Sequence, residues 1–175
     1  MALTAAVALS PSTPVQASLI DASGSDYLVQ RVRFKVARKL LARGDIEGFK
    51  LEVAQLEGYP VLAYLEYARL LREMPDNSPD LPSRIEAFVA NNEDSHLPAV
   101  LLDKWLGNLH GNKRWSELVS WSTRFPGRLS FCKLSSARLA LGEVTDRIDL
   151  LRRVWIEEPL LANDCQSLAQ SLAKS

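Results

Sequence analysis

Beyond its first few residues this chain lacks any long uncharged apolar run. Charged side chains interrupt every apolar stretch, so no segment of about 18 apolar residues is available to cross a bilayer. It also lacks a charge of one sign: Lys plus Arg and Asp plus Glu each number 21. A balanced chain sets up no long-range field to draw in a polyanion, and nucleic-acid binding is not expected. Histidine is scarce. Neither His96 nor His110 has a Cys or carboxylate beside it at metal-ligand spacing, which leaves no candidate metal or cofactor site. A Gly-rich phosphate loop, a Gly-x-Ser-x-Gly elbow and a Walker lysine are all missing, and with them the usual nucleotide and hydrolase chemistries. No window alternates with period two for long enough to make a strand.

What is present begins with an uncharged N-terminus, Ala2 to Leu9, followed by Ser10, Pro11, Ser12, Thr13 and Pro14. Val15-Gln16-Ala17 supplies small residues at −3 and −1 for a signal peptidase, with cleavage before Ser18. A basic n-region is missing, so the alternative is a disordered Ala-rich tail. The expectation is an exported protein, periplasmic in location, with residues 1–20 standing apart from one folded domain over 21–175. Such a length buries enough surface for a core without metals.

Tyr27 to Arg43 carries Leu28, Val32, Val36 and Leu40, with Val29, Ala37 and Leu41 beside them, at helical spacing. Gly44 closes that helix and Asp45 caps the next, Ile46 to Leu56, which stops at Gly58. Tyr59-Pro60 opens a third running to about Arg72, and Met74 to Pro82 reads as a polar turn. Ser83 and Glu86 have capping-box spacing for a helix reaching Val89 or Ala90. Pro98 starts the next, with Val100, Leu101, Trp105, Leu106 and Leu109 inward and Gly111 at its end. Further helices are predicted around Trp115, Leu118, Val119 and Phe125, over Leu129 to Leu141, over Glu143 to Trp155, and from Asn163 to the end.

The breaks recur. Turn residues Gly44, Asn77, Gly111 and Gly142 stand 33, 34 and 31 residues apart. Two short helices per period in the low thirties indicate an all-α fold, an α-solenoid (superhelix) of antiparallel helix pairs, tetratricopeptide-like, with about four and a half pairs. The Trp-Leu-Gly-Tyr pattern of true tetratricopeptides is not repeated. The last helix would expose Leu168, Ala169 and Leu172, which predicts a chain truncated at its C-terminus or another protein docked there.

Candidate chemistry is thin. Cys132 and Cys165 lie 33 residues apart, one period, at comparable places in adjacent pairs. They are either a disulfide, if the chain is exported, or two buried thiols. A nucleophilic pairing of Cys132 with His110 is disfavoured. Glu93-Asp94 and Glu157-Glu158 are neighbours that diverge by about 100° on a helix, so neither pair converges on a substrate. The strongest charge bias is Arg31, Arg33, Lys35, Arg38, Lys39 and Arg43 on the first helix, read as a solvated face with an anionic polymer or membrane surface as the alternative.

Tyr59-Pro-Val-Leu-Ala-Tyr-Leu-Glu-Tyr67 resembles the helix-opening segment near the start of soluble lytic murein transglycosylases, periplasmic enzymes that cleave peptidoglycan glycan strands. Phe88-Val89 with Asn91, Leu97-Pro98, Trp115 and Leu118 resemble that family's next two helix pairs in order and spacing, and the likeness runs from about residue 25 onward. Cys132 and Cys165 fall where related members carry a cysteine pair. The resemblance implies the non-catalytic superhelical domain, whose partners are glycan strands or a lysozyme-like catalytic domain. That catalytic domain, with its acid–base glutamate, has no counterpart in this sequence, so no catalytic residue carries over. The alternative is an independent tetratricopeptide-like adaptor for a protein or peptide.

Overall fold

The computed structural model describes residues 19–157 and 163–173, and among these every regular element is helical. The N-terminal segment with the expected cleavage point before Ser18 lies outside the described residues. In chain order the helices are α1 (Leu19–Arg43), α2 (Ile46–Ala54), α3 (Ala63–Glu73), α4 (Leu81–Asn91), α5 (Leu97–Gly111), α6 (Trp115–Arg124), α7 (Phe131–Ala140), α8 (Arg147–Glu157) and α9 (Asn163–Ala173). A 3-10 turn, Met74–Asp76, follows α3. The chain divides into two compact units, residues 1–65 and 66–175.

In the first unit, α1 turns into α2 through Gly44, whose φ of +82° is a left-handed conformation that a Cβ would oppose. Its amide donates to the Leu41 carbonyl and that of Asp45 to Leu40, both at 3.0 Å, satisfying the last carbonyls of α1. Asp45 then caps α2 as predicted, its carboxylate accepting from the Gly48 amide at 2.9 Å. Ala37, Leu41 and Phe49 are buried in the α1–α2 contact, and Phe34 and Tyr59 meet as rings 5.7 Å apart.

The predicted α1 stripe is only half right. Leu28 is 65% and Val32 61% exposed, and Val29 and Val36 are exposed as well. Length explains part of this: α2, with nine residues, spans roughly 14 Å against about 38 Å for α1. Rotation explains the rest. At 3.6 residues per turn, Val36 and Val32 point about 100° and 140° away from Ala37, off the face that α2 covers.

The second unit repeats the closure seen at Gly44. At Gly142 (φ +75°) the amide donates to Leu139 at 3.1 Å and that of Glu143 to Arg138 at 2.9 Å. The α5–α6 turn uses the same pair of bonds, Lys113 to His110 at 3.1 Å and Arg114 to Leu109 at 2.9 Å, with Lys113 at φ +56°. α5 ends at Gly111 as predicted, but the left-handed residue that turns the chain is Lys113, two positions further on. Asn77 (φ +48°) closes the 3-10 turn, and Gly127 (φ +76°) is left-handed in this unit as well. Among the left-handed residues, those at the predicted turns, 44, 77, 113 and 142, are 33, 36 and 29 residues apart, a looser rhythm than the predicted 33, 34 and 31, and Gly58 and Gly127 are left-handed between them.

Other boundaries shift for local reasons. Proline at the second position of α4 leaves Asp80 as its cap, and the Ser83 hydroxyl donates to the Asp80 carbonyl at 2.7 Å, so the predicted Ser83–Glu86 capping box does not form. The segment Met74 to Pro82 is less polar than expected, because Met74 and Leu81 are buried. Val100 faces out, whereas Leu101, Trp105, Leu106 and Leu109 of α5 are fully inside. α8 begins at Arg147, four residues later than predicted, where Asp146 accepts from the Asp149 amide at 2.8 Å.

The expected exposure of Leu168 on the last helix is not seen. Leu168 is 1% exposed and joins Cys132, Leu150, Val154 and Cys165 in one cluster, with Leu172 packed against it. α9 lies against both α7 and α8, which bury Leu168 and leave Ala169 and Leu172 half-buried.

Candidate functional site

The two cysteines are brought together. Their sulfurs lie at bonding distance, 2.06 Å, with Cα atoms 5.0 Å apart, and both residues are buried. This disulfide ties the start of α7 to the start of α9. Of the two alternatives the sequence left open, buried thiols are thus not what is seen, and a Cys132 nucleophile is excluded. His110 lies edge-on to Trp115 at 5.4 Å, and His96 occupies the residue before α5. Glu93 and Asp94 are exposed on the turn before α5. The Glu157–Glu158 side chains lie outside the described residues. Among the described residues no three His, Cys, Asp or Glu side chains are grouped to hold a metal.

The densest charge cluster joins α3 to α4. Arg84 donates to Glu73, reaches Asp80 at 3.4 Å and Glu66 at 3.5 Å, while Arg69 holds Glu73 at 2.9 Å and Glu66 at 3.7 Å. Burial pushes the Glu73 carboxyl up, but the hydrogen bonds and charges of Arg84 and Arg69 outweigh it and hold the group below the usual carboxylate range. Asp80 is lowered too, first by the Ser78 hydroxyl and then by Arg84. Arg84 is raised: burial opposes its charge, and Glu73 and Glu66 overcome that. Each carboxylate here already faces an arginine, so the cluster works as a clasp between two helices.

A second clasp is aromatic. Trp105 meets Trp121 edge-on at 5.8 Å, and Phe125 stacks on Trp121 at 5.5 Å. Arg114 lies 5.4 Å above Trp105 and Arg124 5.7 Å above Trp121. Arg114 also donates to Asn77 at 2.7 Å, and Arg124 to Glu86, tying α6 and its entry to elements earlier in this unit. Trp105 Nε1 and Asn108 Oδ1 are buried with no protein hydrogen-bond partner.

One surface that remains open is the outer face of α1. A groove of about 490 Å³ is lined by Leu28, Val29, Val32, Arg33, Val36 and Glu52. Arg33 closes its wall by pairing with Glu52 at 3.2 Å. Next to it along the helix, Lys35, Arg38, Lys39 and Ala42 line a shallower depression of about 310 Å³. Among the described residues no carboxylate stands within ion-pair distance of Arg31, Lys35, Arg38, Lys39 or Arg43. The sequence marked these cations, but it assigned their apolar neighbours to the core. The chemistry on offer is binding: apolar contact in one groove and unneutralised positive charge beside it.

Set against known protein families, curated proteins and solved structures, the chain matches none of them. The class defined by fold and site is therefore an all-α protein with a disulfide and a basic, partly apolar helix face. No helix among the described residues is long and apolar enough to cross a membrane.

Proposed function

We propose that this chain is a non-catalytic scaffold, a superhelical run of antiparallel helix pairs like the N-terminal domain of soluble lytic murein transglycosylases. In this reading it is exported to the periplasm and holds peptidoglycan glycan strands for a lysozyme-like catalytic domain. The observation that carries it is the recurrent helix closure. The same two backbone bonds around a left-handed residue join successive helices at Gly44, Lys113 and Gly142, as expected where each pair shields its neighbour's apolar side. The Cys132–Cys165 bond adds support, because disulfides persist in oxidising compartments. The charged clasp adds more: Glu66, Glu73 and Asp80 are engaged by arginines and not poised as a general acid.

The test is to incubate the purified, oxidised chain with murein sacculi, measuring both retention on the sacculi and release of anhydromuropeptides. Retention without release is the expected result. Release by this chain alone overturns the non-catalytic assignment. Failure to bind sacculi, together with failure to bind a lytic transglycosylase catalytic domain, overturns the murein reading.

The exposed α1 groove favours a second reading, an independent tetratricopeptide-like adaptor that holds a protein or peptide. An adaptor would ignore sacculi and bind a polypeptide.

A further inference from the structure

We infer that the outer face of α1 is a docking site for an acidic amphipathic helix of a partner protein. Four apolar side chains, Leu28, Val29, Val32 and Val36, are exposed side by side on one helix, although each would gain by leaving water. They line an open, shallow groove along α1, with Glu52 of α2 on its wall. A groove of that kind accepts the projecting side chains of a helix laid along it, the familiar helix-in-groove arrangement.

Charge then selects the occupant. Lys35, Arg38 and Lys39 surround the adjoining depression, and Arg31 and Arg43 extend the same sign along α1. The only pairing on this helix seen among the described residues is Arg33 with Glu52, which belongs to the groove wall. A second copy of this chain would bring cations against cations. A flat lipid surface would meet the charges without following the shallow groove. An acidic helix satisfies both features. Spacing adds a requirement: Val32 and Lys39 are seven positions apart, about 10 Å along the helix axis. The partner therefore carries apolar residues at i and i+4, with glutamates or aspartates about two turns away.

This inference does not depend on murein binding. Loss of sacculus retention leaves it standing, and loss of helix binding leaves the scaffold reading standing.

The probe is a labelled peptide of about 20 residues with leucines at i and i+4 and glutamates two turns on, titrated with the full chain by fluorescence anisotropy. Binding is expected to weaken at least about tenfold in Val32→Asp and in Leu28→Asp. A similar loss is expected in the double variant Lys35→Glu/Lys39→Glu, with recovery when the peptide's glutamates are replaced by lysines. All substitutions lie on exposed positions, and circular dichroism checks that each variant is folded. The proposal is overturned if the acidic peptide binds no better than its scrambled counterpart. It is equally overturned if phosphatidylglycerol vesicles bind the chain with the same sensitivity to these variants, or if ultracentrifugation shows a dimer that Val32→Asp dissolves.

Discussion

Removing the disulfide should loosen the C-terminal end of the chain far more than the rest. The bond spans 33 positions, and the chain-entropy relation for a closed loop of that size gives a stabilisation of about 3.7 kcal/mol at 25 °C. Little should be lost from packing. Cys132 and Cys165 are buried among Leu150, Val154 and Leu168, where two thiols or two alanines still behave as small apolar groups. The effect thus falls on the freedom of the unfolded chain between α7 and α9. In the double variant Cys132→Ala/Cys165→Ala the melting temperature should drop by roughly 7 to 15 °C. Amide exchange should accelerate in α7, α8 and α9 while α1 and α2 keep their protection. A reducing agent should reproduce the shift in the native chain and leave the variant unchanged. A change in melting temperature below about 2 °C, or equal loss of protection in α1 and α2, would refute the reasoning.

Three other outcomes follow from the same geometry. Because the Glu73 pKa is depressed in the folded chain, the stability it confers is complete above the ordinary carboxylate range and is lost as pH falls below about 4.5. Denaturant titrations across that range should show a shallower slope for Glu73→Gln, with a remainder from Asp80, and a loss of about 1 to 2 kcal/mol at neutral pH. Lys113→Gly should stabilise the chain by about 0.5 to 1 kcal/mol in urea melts, since glycine relieves the left-handed backbone there at a smaller entropic cost. Leu168→Ala should cost about 2 to 5 kcal/mol, whereas Leu28→Ala should stay within about 0.5 kcal/mol by the same measurement.

Much of the local grammar was readable beforehand. Gly44 and Gly142 end their helices as the sequence predicts, and Asp45 caps α2, because those outcomes depend on a few neighbouring atoms. Lys113 was not readable. Gly111 marked the end of α5 correctly, yet the left-handed conformation falls two residues later, on a residue that carries a Cβ. The capping box at Ser83 failed for a comparable reason: the proline before it shifted the helix start by several residues.

Faces were harder to read than boundaries. A helical wheel groups Leu28, Val32 and Val36 with Leu40, and groups Leu168 with Leu172, but it carries no information on what lies opposite. The short α2 left the first group uncovered, while the Cys132–Cys165 bond and α8 closed over the second. The candidate site was therefore half visible: its cations stood out in the sequence, and its apolar groove emerged only from the packing.

All four tryptophans, Trp105, Trp115, Trp121 and Trp155, fall in the second compact unit, and the aromatics of the first are tyrosine and phenylalanine. Red-edge excitation, which tyrosine does not absorb, consequently follows melting of residues 66–175 and is blind to the rest. The close edge contact of the Trp105 and Trp121 indoles should also give a near-ultraviolet dichroism band that vanishes when their ring geometry loosens. The molecule thus comes with optical reporters on one side of its internal boundary, and comparing them with far-ultraviolet dichroism reveals whether the two units unfold in one step or two.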